Sequence, residues 1–409
     1  MERPPTSLTL AMAAIGDPED PGANSGWPAS VLGALRETVS QVTAVSDTPS
    51  QGWGRAALAA GALLGVRPSD LASPSHARAR LWTVAHASSP YARARSRAVR
   101  ARIGRAGPLD GLVQNGGDYP APAGVRMVTY QDSTVLQAVA AYPWAHLRGL
   151  SPRGVRSLVR RQRNAYRSAA ACCTFSHWVA DSIVSDYGMP ASKVHVVGLG
   201  SNNSFDGIDQ TARQWSQPRF LFVGFDWARK NGELVLESFA KVRERFPDAT
   251  LDLVGGHPRV QLEGVSGHGP LALADPTDRA RLTALYRDAT VFVMPSLHEP
   301  AGTVHVEAAS AGIPSIGTSN GGAATCIGAA GLVVDPHAPE QLQRAMLELC
   351  DPDTARRLGA LGREHAKQFT WRLVAERLVR AMVIPGVDAT GLADFLDDRA
   401  VAPGRDARD

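Results

Sequence analysis

Long apolar runs are missing from this chain of 409 residues. No stretch reaches the roughly 18 consecutive apolar residues that a helix needs to cross a bilayer. The apolar stretch from Leu8 to Ile15 runs directly into the acidic, proline-containing segment from Gly16 to Pro21, whereas a signal peptide would have a longer apolar region and a small-residue cleavage site. We therefore expect a buried first strand at Leu8–Ala14 and a cytoplasmic protein.

The chain also lacks the patterns that mark disulfide frameworks and metal centres. Its four cysteines include the adjacent pair Cys172 and Cys173 but form no CxxC motif, which indicates buried thiols in a reducing compartment. The eleven histidines form no HExxH pattern, and His298 and His305 are too far apart in sequence to share one helix face as a zinc pair. We see no DxD on a strand end. We therefore expect no metal and no cofactor.

Acidic residues are absent from one strongly basic segment. Residues 1–205 hold 21 Lys and Arg against 12 Asp and Glu, and the remainder holds 22 against 27. The excess is concentrated between Arg78 and Arg105, which contains eight arginines and no carboxylate. This segment is either a solvated helix face or a surface for an anionic acceptor or a membrane. Nucleic acid is not expected, because aromatic residues do not alternate with these arginines.

Short apolar runs alternate with longer helix-compatible stretches through most of the sequence, which is typical of a mostly parallel α/β sheet. The pattern stops in a Gly/Asn/Ser-rich passage from Gly198 to Gly207 and a polar run from Asp209 to Pro218, and then starts again at Arg219. Past Pro385 apolar periodicity is lost, and we expect a poorly ordered tail. Two α/β domains of similar size are therefore predicted.

One segment combines features that suit a nucleotide sugar. Glu299 and Glu307 are separated by seven residues, and Gly302 lies between them where a helix would begin. The N-terminus of a helix offers free N–H groups and a partial positive charge to a diphosphate. Glu307, about one turn inside this helix, could accept two hydrogen bonds from a ribose diol. Glu299, on the preceding loop, would face the group attached to the far phosphate.

This segment, PSLHEPAGTVHVEAASAGIPSIGTSNGG, resembles the EX7E motif of the family-four glycosyltransferases. The resemblance extends over roughly residues 218–345, through FLFVGFDWARKNGELVLESFAKVRERFP, LDLVGGHP and GLVVDPHAPEQL. It implies a GT-B fold, in which two Rossmann-like domains face a central cleft and a C-terminal helix crosses back to the N-terminal domain. The predicted parts are an N-terminal acceptor-side domain at 1–208, a C-terminal nucleotide-sugar domain at 209–370, a C-terminal helix at 371–385 and a flexible tail at 386–409.

The resemblance also implies roles for single residues. Lys230, with Arg229 beside it, would hold the diphosphate, and a departing dianion needs such cations whatever the family. Alternatively, both are solvated loop charges. The predicted catalytic residues are Lys230, Arg229 and Glu299, and the predicted donor-binding residues are Glu307, Gly302, Thr303, Val304, Gly224 and Gly255.

The sequence departs from the family pattern in its first loop. The family usually has an arginine directly after the glycine that ends the strand, and this chain has Phe225 there. The letters DWxRK, from Asp226 to Lys230, resemble a variant subgroup in which Arg229 replaces the missing cation. Ala301 stands where the family usually has Phe before Gly302.

The N-terminal half matches less closely. Ser25 and Gly26 lie between the first strand and a helix-compatible stretch, which resembles the family's glycine loop near the donor phosphates and the acceptor, or is an ordinary strand-to-helix turn. Asp132 follows the strand that ends at Tyr130, where relatives carry a histidine. It either faces the cleft or, like Ser133, caps the next helix.

The predicted reaction is metal-independent transfer of a hexose-type sugar, with retention of anomeric configuration, from a UDP- or GDP-sugar to a small-molecule, glycan or lipid-linked acceptor. The leaving phosphate would take the proton of the acceptor. Two other classes stay open. One is an inactive nucleotide-sugar-binding protein, suggested by Phe225. The other is a dehydrogenase, but Gly198 and Gly200 are followed by Asn203 where its glycine motif needs a third glycine.

Overall fold

The structure is a computed structural model, and it describes residues 6–383 apart from 22–25, 66–80, 82, 142–146, 148–149, 204, 206 and 273. It divides the chain into two compact units. The first runs to Asn202 and resumes at Trp371, and the second runs from Asn203 to Thr370. The predicted tail at 386–409 lies outside the described residues.

The first unit contains a parallel sheet of six strands in the order β2-β1-β3-β4-β5-β6. The order changes direction between β1 and β3. Its elements are β1 (Thr6–Ala14), α1 (Trp27–Thr38), β2 (Val39–Ser46), α2 (Gln51–Gly65), α3 (Ser89–Ala106), β3 (Gly111–Asn115), β4 (Met127–Gln131), α4 (Val135–Ala140), α5 (Pro152–Ser168), β5 (Ala171–Thr174), α6 (His177–Ser185) and β6 (Val194–Val196).

The second unit contains a parallel sheet of six strands in the order β12-β11-β10-β7-β8-β9, the strand order of a dinucleotide-binding fold. The order changes direction between β7 and β10. Its elements are β7 (Arg219–Gly224), α7 (Gly232–Arg243), β8 (Thr250–Gly255), β9 (Val265–Gly269), α8 (Pro276–Asp288), β10 (Val291–Met294), α9 (Thr303–Ser310), β11 (Ser315–Thr318), α10 (Ala323–Ile327), β12 (Gly331–Val334), α11 (Pro339–Glu348) and α12 (Pro352–Ala366).

Local sequence explains where these elements form. β10 is apolar along its whole length and fully buried, as expected of a strand covered by helices on both faces. Several helices begin with proline after a polar cap. Ser151 accepts a hydrogen bond from Gly154 N–H at 3.1 Å, and Asp351 accepts one from Thr354 N–H at 2.8 Å. Such caps satisfy backbone donors that the first helical turn leaves free.

The last described helix, α13 (Trp371–Val383), belongs to the first unit. It packs against α1 and buries Val374, Leu378 and Met382. A Cβ atom on Gly111 would lie 1.9 Å from Met382 Sδ, so a glycine at the start of β3 allows this close approach. The return of the chain to the N-terminal domain is the crossing predicted above. None of the helices in the described part of the chain is long and apolar enough to cross a membrane.

Candidate active site

The predicted donor site lies at the edge of the second sheet where the strand order changes direction. β7 ends at Gly224 and β10 at Met294, and these two strands are hydrogen-bonded neighbours. The carboxyl ends of adjacent parallel strands with diverging connections leave a crevice that usually binds ligands. The loops at 225–231 and 295–302 both leave from this edge.

The loop after β7 is held in one shape by its own backbone. Asp226 O accepts a hydrogen bond from Lys230 N–H at 2.8 Å, and Asp226 Oδ1 accepts one from Arg229 N–H at 3.2 Å. Asn231 is the one non-glycine residue with positive φ among those described, at 61°. Its amide donates to the carbonyls of Pro295 at 3.2 Å and Pro336 at 2.9 Å. These bonds fix Arg229 and Lys230 next to the loop after β10.

Glycines let the ends of β7 and β8 come together behind this loop. A Cβ atom on Gly255, whose φ is +109°, would lie 2.1 Å from the carbonyl oxygen of Gly224. A Cβ atom on Gly224 would lie 2.9 Å from Lys230 Cγ. Larger residues at either position would therefore displace the loop that carries the two cations.

Glu299 lies at the centre of the site, and three side chains converge on one of its carboxylate oxygens. Lys230 Nζ forms a salt bridge with Glu299 Oε2, Arg229 Nη1 lies 3.5 Å from the same atom, and Ser296 Oγ donates to it at 3.1 Å. Arg229 Nη1 also donates to the carbonyl of His298 at 2.9 Å. Both predicted cations therefore meet the predicted acidic residue, although Lys230, the nearer of the two in sequence, lies 69 positions away.

The backbone of Glu299 is fixed as firmly as its side chain. Its N–H donates to Asn320 O at 3.0 Å, and its carbonyl accepts from Gly322 N–H at 2.8 Å. Gly321 has a φ of +127°, and a Cβ atom there would lie 2.1 Å from the Glu299 carbonyl oxygen. Gly321 and Gly322 thus allow the close backbone contacts that fix the position of Glu299.

Charge in this cluster is balanced by ion pairing. Burial raises the pKa of Glu299, but the charges of Lys230 and Arg229 outweigh it and bring that pKa to about 2. Burial also lowers the pKa of Lys230, and the charge of Glu299 opposes this. The carboxylate is therefore ionised at neutral pH.

The helix α9 begins at the same edge. Gly302 is its N-cap in the left-handed region, with φ 80°, and Thr303 and Val304 form its first turn. A Cβ atom on Gly302 would lie 3.1 Å from the His305 ring and 3.3 Å from Ala323 Cβ. A glycine is therefore required both for the conformation and for the space.

His305 is fully buried, and neither ring nitrogen has a hydrogen-bond partner among the described residues. Its ring packs edge-on against Phe292 at 5.4 Å between centroids. Burial lowers its pKa to about 3, so this imidazole is neutral at physiological pH.

Glu307 occupies a different environment from Glu299. Its Oε1 accepts a hydrogen bond from Asn203 Nδ2 at 2.8 Å, and its Oε2 accepts one from the Tyr286 hydroxyl at 3.1 Å. Burial raises the pKa of Glu307 to about 7, and these two neutral donors only partly offset it. The sequence does not indicate that Asn203 and Tyr286 bind Glu307, because neither belongs to a motif near Glu307.

The residues predicted in the N-terminal half belong to the first unit. Gly26 has a φ of 78° and is the N-cap of α1, and its carbonyl accepts a hydrogen bond from Ser30 Oγ at 3.0 Å. Ser25 lies outside the described residues. Asp132 follows β4 and accepts a hydrogen bond from Ser133 Oγ at 3.0 Å. The suggestion that either of these two caps α4 is wrong: Thr134 is the cap, in a capping box with Gln137.

Metal ligands do not cluster in the part of the chain that the structure describes, where no group of three or more His, Cys, Asp or Glu could hold an ion.

Two parallel α/β units, one of them with its polar site where the strand order changes direction, are the architecture of the GT-B class. Solved structures show the same fold. A sucrose-phosphate synthase from Thermosynechococcus elongatus has a TM-score of 0.60 at 18% identity, with 91% of this chain and 98% of that chain covered. WaaG, a glycosyltransferase involved in lipopolysaccharide biosynthesis, has a TM-score of 0.56 at 16% identity, with 92% and 100% covered. The predicted α/β GT-B fold is confirmed.

Sequence comparison narrows the class. Residues 217–351, which make up most of the second unit, match the family Glycosyl transferases group 1. A D-inositol 3-phosphate glycosyltransferase from Kribbella flavida is 29% identical over 49% of this chain and 53% of its own. A mannosylfructose-phosphate synthase from Agrobacterium fabrum is 27% identical over 52% of this chain and 53% of the length of that synthase. The chain thus spans about half the length of these curated relatives. The family resemblance is confirmed, and the DWxRK subgroup stays a prediction.

Proposed function

We propose that this protein is a retaining glycosyltransferase that moves a hexose-type sugar from a nucleoside-diphosphate sugar to an acceptor hydroxyl. The observation that carries the proposal is the convergence of Lys230 and Arg229 on Glu299 at the crevice of a Glycosyl transferases group 1 domain. A buried lysine and a partly buried arginine at such an edge suit a substrate whose bond breaks to release a diphosphate.

The donor would be held at three places: its diphosphate, its ribose and its sugar. The first turn of α9, with Gly302, Thr303 and Val304, offers backbone N–H groups to the diphosphate. Glu307 would accept hydrogen bonds from the ribose, and Glu299 would orient the sugar. Gly224 and Gly255 would let the donor approach the backbone, with uracil or guanine as the base.

Lys230 and Arg229 would stabilise the negative charge that develops on the departing phosphate, in place of a metal ion. A phosphate oxygen would take the proton of the acceptor hydroxyl as the new glycosidic bond forms on the face that the phosphate leaves. This order of events retains the anomeric configuration. Double displacement is disfavoured, because it needs a second carboxylate beside the reacting carbon, and Glu307 has the ribose role here.

The acceptor would bind to the first unit, where Gly26, Ser25 and Asp132 are the candidate contacts. Two of the relatives are named for a phosphorylated polyol or sugar, so D-inositol 3-phosphate is a reasonable first probe. A lipid-linked acceptor and peripheral membrane contact are also proposed, through α3. This helix exposes Arg93, Arg97, Arg100 and Arg105 and contains no acidic residue.

A catalytically inactive nucleotide-sugar-binding protein is the second candidate. The observation in its favour is Phe225, which stands where the family usually has a cation and whose side chain is 73% exposed. Arg229 supports activity instead, since its guanidinium already reaches Glu299.

The test begins with thermal unfolding in the presence of UDP, GDP, UDP-glucose and GDP-mannose. A ligand at 100 times its dissociation constant should add about 2.7 kcal/mol to stability. Donor turnover is then compared between Lys230→Ala and a control, Lys241→Ala, whose ammonium pairs with Glu244 on the exposed face of α7. Lys230→Ala should lower turnover on the order of 10²–10³-fold, and the control should not. Binding without turnover in the wild type would favour the inactive alternative, and no binding would overturn both.

A further inference from the structure

The carboxylate of Glu307 is held at both oxygens by uncharged donors. Asn203 Nδ2 reaches Oε1 at 2.8 Å, and the Tyr286 hydroxyl reaches Oε2 at 3.1 Å. Glu299, by contrast, is held at one oxygen by two cations and a hydroxyl. Of the two acidic side chains of the motif, Glu307 is therefore the one whose carboxylate plane is fixed by hydrogen bonds to both oxygens, with no cation among these donors.

The two donors are themselves fixed. The ring of Tyr286 stacks on Phe205, with centroids 4.3 Å apart and planes inclined by 24°. The ring is also nearly parallel to that of Phe292, with centroids 6.3 Å apart. Tyr286 is fully buried, so its hydroxyl has a fixed position. A phenol held in this way is a directional donor.

The segment that carries Asn203 also grips the backbone of Glu307. Phe205 N–H donates to Ser310 Oγ at 3.0 Å, and that hydroxyl donates to the carbonyl of Glu307 at 2.7 Å. The start of the second unit thus holds Glu307 by both side chain and main chain. Neither Asn203 nor Phe205 lies in the stretch from Val291 to Gly322 that carries the motif.

This geometry leaves room for two more hydrogen bonds. A carboxylate has about four lone-pair positions, two on each oxygen. Among the described residues, Asn203 and Tyr286 take one on each oxygen and leave one on each oxygen, an arrangement that suits two adjacent hydroxyl groups. We propose that Asn203 and Tyr286 are positioning residues that orient Glu307 toward both hydroxyls of a ribose, so that the donor site selects ribonucleotides over nucleotides that lack the diol. This inference rests on the proposed function.

The test compares the affinity for UDP and GDP with the affinity for their 2′,3′-dideoxy analogues, by isothermal titration calorimetry. The wild type should prefer the ribonucleotide on the order of 10- to 100-fold, as expected for two additional hydrogen bonds. Tyr286→Phe keeps the stacked ring and removes only the hydroxyl. Asn203→Ala removes the other donor. Each variant should lose about half of the preference on a logarithmic scale while its affinity for the dideoxy analogue is unchanged.

The ratio separates positioning from a merely structural role. Residues that only stabilise the fold would weaken both ligands equally, and an unchanged ratio in Tyr286→Phe would overturn the proposal. Tyr119→Phe is the matched control, since it removes a buried tyrosine hydroxyl of the first unit that has no hydrogen-bond partner among the described residues. If Asn203→Ala fails to fold, the isosteric Tyr286→Phe still decides. A wild type that binds neither nucleotide overturns the proposed function and this role with it, whereas binding with an unchanged variant ratio overturns the role alone.

Discussion

Lys230, on the loop after β7, and Glu299, on the loop after β10, form a buried salt bridge at the edge of the second sheet. Both side chains are about one-tenth exposed, at 11% and 9%. An ion pair with so little access to water depends on both partners, because removal of one leaves the other charge uncompensated. Four of the five predictions below concern this donor-site edge.

Glu299→Gln should destabilise the protein by about 3–5 kcal/mol, as expected when one member of a buried ion pair is lost. Lys230 and Arg229 would then face a neutral amide, and the pKa of Lys230 should fall further because the opposing charge is gone. Urea unfolding measures the change. Glu244→Gln, which breaks the exposed pair with Lys241, is the control and should stay within about 0.5 kcal/mol of the wild type. Equal stability of the two variants would contradict the prediction.

Glu307 should make stability depend on pH in the opposite sense from an ordinary carboxylate. Its pKa in the folded protein is about 7, above the ordinary value of 4.5, so the folded state binds the extra proton between these values. The contribution of Glu307 to the free energy of unfolding is fully present below pH 4.5 and is lost as the pH rises to about 7. The shift corresponds to roughly 3 kcal/mol.

Thermal unfolding of the wild type and Glu307→Gln between pH 4 and pH 8 measures this effect. The wild type should lose stability relative to the variant across that window, and the difference should level off above it. A difference that does not vary with pH would show that Glu307 ionises freely.

The cation missing from the first loop can be restored. If Arg229 has taken over the role of an arginine at position 225, Arg229→Ala should lower donor turnover, and Phe225→Arg in that background should recover part of it. The exposed position of Phe225 should accommodate the longer side chain. Single-turnover measurements on the three proteins give the comparison. Failure of Phe225→Arg to raise the activity of Arg229→Ala would indicate that the two positions are not equivalent.

Gly302→Ala should impair donor binding beyond its cost in stability. The φ of +80° alone costs a side chain roughly 1–2 kcal/mol. The added methyl group would also press against His305 and Ala323 at the start of α9. Gly269→Ala is a close control, because its φ is +67° and no atom lies within 4 Å of the added carbon. Calorimetry should show weaker nucleotide binding for Gly302→Ala only. Equal affinities would remove α9 from the donor site.

Contact with an anionic membrane can be tested through α3. The variant with Arg93, Arg97 and Arg100 changed to Ala loses three exposed charges and none of the buried contacts of this helix. The wild type should sediment with phosphatidylglycerol vesicles at low salt. The variant should bind on the order of 100-fold more weakly, since each of the three basic residues near such a surface contributes about 1 kcal/mol. Equal binding, or no binding by the wild type, would leave these arginines as a solvated helix face.

The sequence could predict the fold because the alternation of apolar runs and helical stretches is local and repeated. The resemblance to the family-four glycosyltransferases also implied that Lys230 and Glu299 belong to one donor site. Asn203 and Tyr286 could not be found in this way. Their contacts with Glu307 depend on how the start of the second unit and α8 pack beside α9, and no spacing along the chain encodes that packing. Likewise, Asp132 and Ser133 looked suitable for a helix cap, but the backbone path after β4 gives that position to Thr134.

The crossing of α13 into the first unit has a consequence for dissection of the protein. Within the described residues the second unit is one uninterrupted length of chain, from Asn203 to Thr370, and can be excised by two cuts. A fragment ending at Asn202 would instead lack α13, the helix that packs against α1. Such a fragment should fold stably only when a peptide covering Trp371–Val383 is fused to it or added in solution.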